Sequence, residues 1–230
     1  MKNPVRHTSR KPLRKWWEHD AVHRGSKMNI ALIGDSHSQA LFPRLRPVLE
    51  AAGHTIVHEV SNPGWGAKKF VNEGLASVPR GTQAVIVSLG GNNQNLGQSY
   101  GEDVARFLIS IGTDKPIVWI GPATSEMTIA ADTGQRHEWT ADYLQGVLPS
   151  KGIKFIDARP FTMQHHRDDG VHFTHEGYDQ WAQRIGPIIL RNLSFAPPMK
   201  RVLRVSGLAV AGLITIYGLY FLYDTFRGKD

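Results

Sequence analysis

The sequence predicts an α/β fold, a three-layer α/β/α sandwich whose central, mainly parallel sheet has five strands. Two observations predict it. Short apolar, β-rich runs alternate with helical stretches through the middle of the chain, and short loops join them, the pattern of a parallel sheet between helix layers. One of these runs, Ala84–Leu89 (AVIVSL), is apolar along its length rather than alternating, as expected of a strand covered on both faces.

The elements follow in order. Asn29–Ile33 (NIALI) is a short apolar run ending at Gly34, and a helical stretch runs on to Ala52. Thr55–Val60 reads as the second strand and Ala84–Leu89 as the third. Asp103–Ile111 is helical, Pro116–Ile120 (PIVWI) is the fourth strand, and His137–Leu148 is another helix. Lys154–Ile156 (KFI) begins the fifth strand, and Glu176–Leu193 closes the domain as an amphipathic helix. Ligands of such folds bind at the carboxyl ends of the strands.

The two ends differ from this middle. The chain carries a formal charge of +7, divided as +6 over residues 1–27, −2 over 28–198 and +3 over 199–230. The folded middle therefore offers no basic face to nucleic acid. Residues 1–27 form a basic extension with Pro4 and Pro12 and without the apolar run of a secretory signal. The expected domain covers 28–196, followed by a basic linker over 197–204. Residues 205–223 (VSGLAVAGLITIYGLYFLY) contain no charge. As a helix this run would reach about 28 Å, close to the hydrocarbon thickness of a bilayer. Tyr217, Tyr220 and Tyr223 gather toward one end, and basic residues flank both, so a single transmembrane helix is expected, with a short polar tail over 224–230. The slight excess of basic residues before the span favours a cytoplasmic-facing domain, membrane-associated through this anchor. There are no cysteines, which removes disulfides, thiolate metal sites and a cysteine nucleophile.

Four segments carry chemistry. Gly34-Asp35-Ser36-His37-Ser38 falls where the first strand gives way to the first helix, where a serine projects above the sheet edge. A serine there also suits a helix cap. Asp169-Gly170-Val171-His172-Phe173-Thr174 places an aspartate three residues before a histidine on a loop entering a helix. The carboxylate can bond one imidazole nitrogen and leave the other to accept a serine proton. Asp168, His165, His166 and His175 stand nearby without that spacing. Gly64-Trp65-Gly66 and Gly90-Gly91-Asn92-Asn93 end the second and third strands on the same edge. A glycine amide and an asparagine side chain there can face a developing oxyanion, though glycine and asparagine also make ordinary turns. Asp35-x-His37 matches the opening ligand pair of metallophosphoesterases, but the further acidic and histidine ligands of a two-metal site are missing.

Together these segments resemble the four blocks of the SGNH/GDSL hydrolase superfamily over residues 28–195 or so. The resemblance implies a flavodoxin-like SGNH fold with Ser36 as nucleophile, His172 as base and Asp169 as its partner. It implies an oxyanion hole from the Ser36 and Gly64 amides and the Asn92 side chain. Gly66 is the alternative to Gly64, and Asn93 stands where the family's third block usually has aspartate. The implied activity is two-step cleavage of a carboxylic ester through an acyl-enzyme, with no metal and no organic cofactor. Its ester substrate is an O-acylated glycan or a lipid. Histidine after the serine is similar to domains acting on acylated sugars. An acyltransferase using the same residues, and a membrane-anchored structural protein on a hydrolase scaffold, are the alternatives.

Overall fold

The computed structural model describes residues 26–92, 98–126 and 131–194. The chain runs β1 (Asn29–Gly34), α1 (Ser36–Ala51), β2 (Thr55–Ser61), α2 (Ala67–Asn72), β3 (Ala84–Ser88), α3 (Gln98–Ile111), β4 (Ile117–Ile120), α4 (Ala131–Val147), β5 (Lys154–Ile156) and α5 (His175–Ser194). Single 3-10 turns at Pro149–Lys151 and Arg159–Phe161 flank β5. The five strands form one sheet in the order β2-β1-β3-β4-β5, and every neighbouring pair is parallel.

Alternation along β1 explains the layers. Ile30 and Leu32 point to one face, where α1 and α5 cover them with Leu41, Phe42, Leu45, Trp181 and Ile185. Ala31 and Ile33 point to the other, against Phe70 of α2, Phe107 of α3 and Leu144 of α4. Successive strand residues face opposite sides, so a strand buried twice is apolar at every position. β3 and β4 are buried along their whole length, whereas β2, at the sheet edge, alternates between exposed and half-buried residues.

Where expectation and structure differ, the physical reason is local. α3 begins at Gln98 and α4 at Ala131, five and six residues before their apolar periodicity starts. Their first turns are polar and carry Gly101 and Gly134, so hydrophobic spacing does not mark them. The helix α2 was not expected at all; its six residues span under two turns. Pro43 and Pro47 lie inside α1 without ending it. Residues 1–25 of the basic extension and the 205–223 run lie outside the described residues. Among the described residues, no helix is long and apolar enough to cross a membrane.

Candidate active site

The β1–α1 junction presents the serine. Asp35, not Ser36, is the helix cap: its side chain accepts the His37 amide at 3.1 Å. Ser36 is the first helical residue and is freed from capping. Its Oγ lies 2.9 Å from His172 Nε2, a contact between residues 136 apart in sequence.

His172 is delivered by a hairpin between β5 and α5. The Arg167 amide donates to the His172 carbonyl at 2.7 Å and the Thr174 amide to the His165 carbonyl at 2.8 Å, with His166 bridged to Phe173. The tip is tied to the loop after β4, where the Glu126 amide donates to the Gly170 carbonyl at 2.6 Å and His166 Nε2 donates to the Thr124 carbonyl at 3.1 Å. Asp169 sits within this turn. Its Oδ1 accepts the Val171 and His172 amides at 2.9 and 2.8 Å, and its Oδ2 lies 2.8 Å from His172 Nδ1. Partial desolvation pushes the Asp169 carboxyl up, but the two amides and the imidazole outweigh it and hold the group at about 2. An ionised carboxylate only accepts hydrogen bonds. His172 therefore carries its proton on Nδ1, and Nε2 is left to accept from the serine hydroxyl. Asp168, His165 and His175 do not reach Ser36; His175 Nδ1 instead accepts from Arg44 at 3.2 Å.

The oxyanion side is built from three segments. Gly64 is exposed with φ +73, and a Cβ built there would meet nothing within 4 Å. The position needs glycine for its backbone conformation rather than for space. Gly66 is buried as the cap of α2, its carbonyl accepting the Lys69 and Phe70 amides. Neither the Ser36 nor the Gly64 amide is taken by another described residue. Asn92 is half-buried and its side chain bonds the Asp35 carboxyl, which also accepts the Gly91 amide. Asn93 lies outside the described residues.

Behind the serine, Asp35 and His37 are buried titratable groups whose surroundings the sequence did not reveal. Asp35 is 2% exposed; burial raises its carboxyl to about 7 against the opposing pull of its N–H donors. The His37 ring is buried among His172, Phe173, Tyr178 and Trp181, with centroids 5.2 to 6.1 Å away. Burial, reinforced by His172, lowers it to about 3, so it is neutral. Its Nδ1 lies 3.0 Å from the Tyr178 hydroxyl. With Asp35 turned to Asn92 and His37 turned to Tyr178, the pair is occupied otherwise than as metal ligands. Among the described residues no three metal-ligating side chains converge.

Solved structures share this architecture. The C-terminal catalytic domain of Streptococcus pneumoniae peptidoglycan O-acetyltransferase A superposes with TM-score 0.58 at 18% identity, over 74% of this chain and 97% of that one. An acetylxylan esterase from Geobacillus stearothermophilus gives 0.57 at 13%, over 74% and 96%. A lipolytic G-D-S-L protein from Veillonella parvula gives 0.55 at 17%, over 71% and 99%. This chain has the SGNH/GDSL hydrolase fold. No protein-family model and no curated protein matches it in sequence. Within the SGNH/GDSL fold the four sequence blocks come to one sheet edge, at the carboxyl ends of β1, β2 and β3 and on the loop after β5.

Proposed function

We propose that this protein is a serine hydrolase that cleaves carboxylic esters, with Ser36 as nucleophile, His172 as general base and Asp169 as the acceptor that fixes the His172 tautomer. The observation that carries the reading is the unbroken relay Asp169 Oδ2, His172 Nδ1, His172 Nε2, Ser36 Oγ, with steps of 2.8 and 2.9 Å. In acylation the Ser36 proton passes to Nε2 as Oγ attacks the ester carbonyl. The Ser36 and Gly64 amides and the Asn92 side chain donate to the resulting oxyanion. The Nε2 proton then goes to the departing alkoxide, and water repeats the sequence to release the acid. No step calls on a metal or an organic cofactor. Further support comes from the acetylxylan esterase, whose catalytic variants replace a serine, a histidine and an aspartate three residues before that histidine.

The substrate proposed is an O-acylated glycan. Two of the structural neighbours act on acetylated or acetyl-accepting polysaccharides, xylan and peptidoglycan. Residues 205–223 are proposed as the membrane anchor, with the domain on the side facing the cytoplasm, which puts it beside a lipid-linked glycan at the membrane surface. The peptidoglycan O-acetyltransferase among the neighbours favours one second reading, acyl transfer to a sugar hydroxyl in place of water.

Fluorophosphonate labelling of the full chain tests the mechanism, with Ser36→Ala and His172→Ala as controls. Labelling of the wild type and loss in both variants is expected. Equal labelling of Ser36→Ala would refute the assignment. Product analysis with an acetyl donor and a sugar acceptor separates transfer from hydrolysis.

A further inference from the structure

Asp35 has no place in the relay of Ser36, His172 and Asp169, yet it is 2% exposed and held by its backbone as well as its side chain. Its amide donates to the Ser88 carbonyl at 3.2 Å, at the end of β3. Its carbonyl accepts the Ser38 amide at 3.2 Å and the Ser38 hydroxyl at 2.6 Å. Gly34 makes this turn possible, since a Cβ there would collide with Ser38. The backbone that carries Ser36 is thereby fixed to the strand whose loop carries Asn92. The carboxyl makes the same connection. Oδ1 accepts the His37 amide at 3.1 Å, and the group also takes the Gly91 amide and the Asn92 side chain. A Cβ on Gly91 would stand 3.7 Å from Oδ2, so the loop after β3 rests against this carboxyl.

The chemistry of this contact decides which way the Asn92 amide faces. An ionised carboxylate only accepts, so Asn92 meets it with the NH2 group and not with the oxygen. That group has two hydrogens. One goes to Asp35, and the other is left for the oxyanion. The last torsion of asparagine is soft and roughly two-fold, so without an acceptor behind it the amide can turn over. The turned amide presents its oxygen to the developing negative charge. We propose that Asp35 is a positioning residue for acyl transfer: its carboxylate holds one N–H of Asn92 and so aims the other at the oxyanion. The inference rests on the reading of Asn92 as an oxyanion donor. Among the described residues no hydrogen bond joins the Asp35 carboxyl to Ser36 Oγ or to His172. The competing route to Ser36 runs through the helix cap on the His37 amide, and the variants below leave a cap in place.

A double-mutant cycle in the full chain tests this. Asp35→Ser keeps a capping oxygen for the His37 amide but has one oxygen where the carboxylate has two, and none is left for Asn92. With p-nitrophenyl acetate at about pH 8, a carboxyl held at about 7 is mostly ionised. Under these conditions Asp35→Ser is expected to lower kcat about tenfold with KM little changed, less than the roughly 10²–10³ lost when an oxyanion donor is deleted outright. The same substitution made on Asn92→Ala should cost less than about twofold, because the group it positions is gone. A defect in the cap or the core has no such dependence on Asn92. Equal losses in the two backgrounds would overturn the inference, as would a kcat for Asp35→Ser within about twofold of wild type. Asp35→Thr also caps and repeats the cycle if Asp35→Ser does not fold. The side-chain amide resonances of Asn92 should move in either variant, and unmoved resonances would overturn the inference as well. If they move but no form of the protein turns over ester, the tether stands and the hydrolase reading fails, so the two failures are told apart.

Discussion

Asp169→Asn tests the relay at its most informative point, because the structure fixes which way the new amide must face. In the native turn Oδ1 accepts two backbone amides, from Val171 and His172, while Oδ2 alone faces His172 Nδ1. An asparagine keeps both backbone bonds only with its carbonyl oxygen in the Oδ1 position. The opposite orientation sets an NH2 group against two N–H donors and loses both bonds, at about 1 kcal/mol each. The resulting bias of about 2 kcal/mol corresponds to roughly thirty to one. In the favoured orientation an NH2 faces Nδ1, which must then accept. The ring proton moves to Nε2, where it points at Ser36 Oγ and blocks proton abstraction. A kcat loss of at least about thirtyfold follows, rising toward the order of 10⁴ as the change of tautomer becomes complete and the carboxylate charge is lost. KM should change little, since Asp169 lies behind the imidazole. Steady-state hydrolysis of p-nitrophenyl acetate measures both, with circular dichroism confirming the fold. A loss of less than about threefold would refute the argument that the carboxylate selects the tautomer.

Three other outcomes follow from the same geometry. Asn92→Ala removes one oxyanion donor and should lower kcat by about 10²–10³ with little change in KM; a change confined to KM would place Asn92 in substrate binding instead. Burial holds the Asp35 carboxyl at about 7, above its unfolded value of 3.8. Its protonated form therefore contributes stability that is complete below about pH 4 and is lost as pH rises through 7. In urea titrations, wild-type stability relative to Asp35→Asn should decline across that window, by at most about 1.4 kcal/mol per pH unit, and a flat difference would contradict the assignment. Trp181 is 1% exposed and packs against His37 and Phe173. Trp181→Ala should cost about 3–5 kcal/mol, read as a lower urea midpoint, and a cost under 1 kcal/mol would show that the α1–α5 core closes over the gap.

β1, β3 and β4 were legible because burial on both faces leaves a continuous apolar run, and the fifth strand begins at Lys154, where it was expected to. The starts of α3 and α4 were not legible, because their first turns are mostly polar and carry Gly101 and Gly134, with Tyr100 the one large side chain there that reaches the core. At the site, Ser36, Asp169 and His172 were visible as motifs, and spacing favoured Asp169 over Asp168. The choice between Gly64 and Gly66 became physical only with φ and burial in hand. The parts that sequence could not reveal are those made by tertiary approach. Nothing in a linear pattern joins Asp35 to Asn92, or buries His37 among four rings.

The 136 residues separating Ser36 from His172 also set the order in which function arrives. The proposed nucleophile leaves the ribosome with β1 and α1, but its proposed base comes only with the hairpin before the last helix. Non-local contacts of this kind form late, after the loop-closure entropy between them has been overcome. A chain still missing α5 lacks Tyr178, Trp181 and Ile185, which share a core cluster with Leu41, Phe42 and Leu45 of α1. It therefore holds an inert serine. Reactivity at Ser36 is thus a clock for folding: followed during refolding from urea, it should appear with the slowest phase that orders the core, not with the early formation of helices.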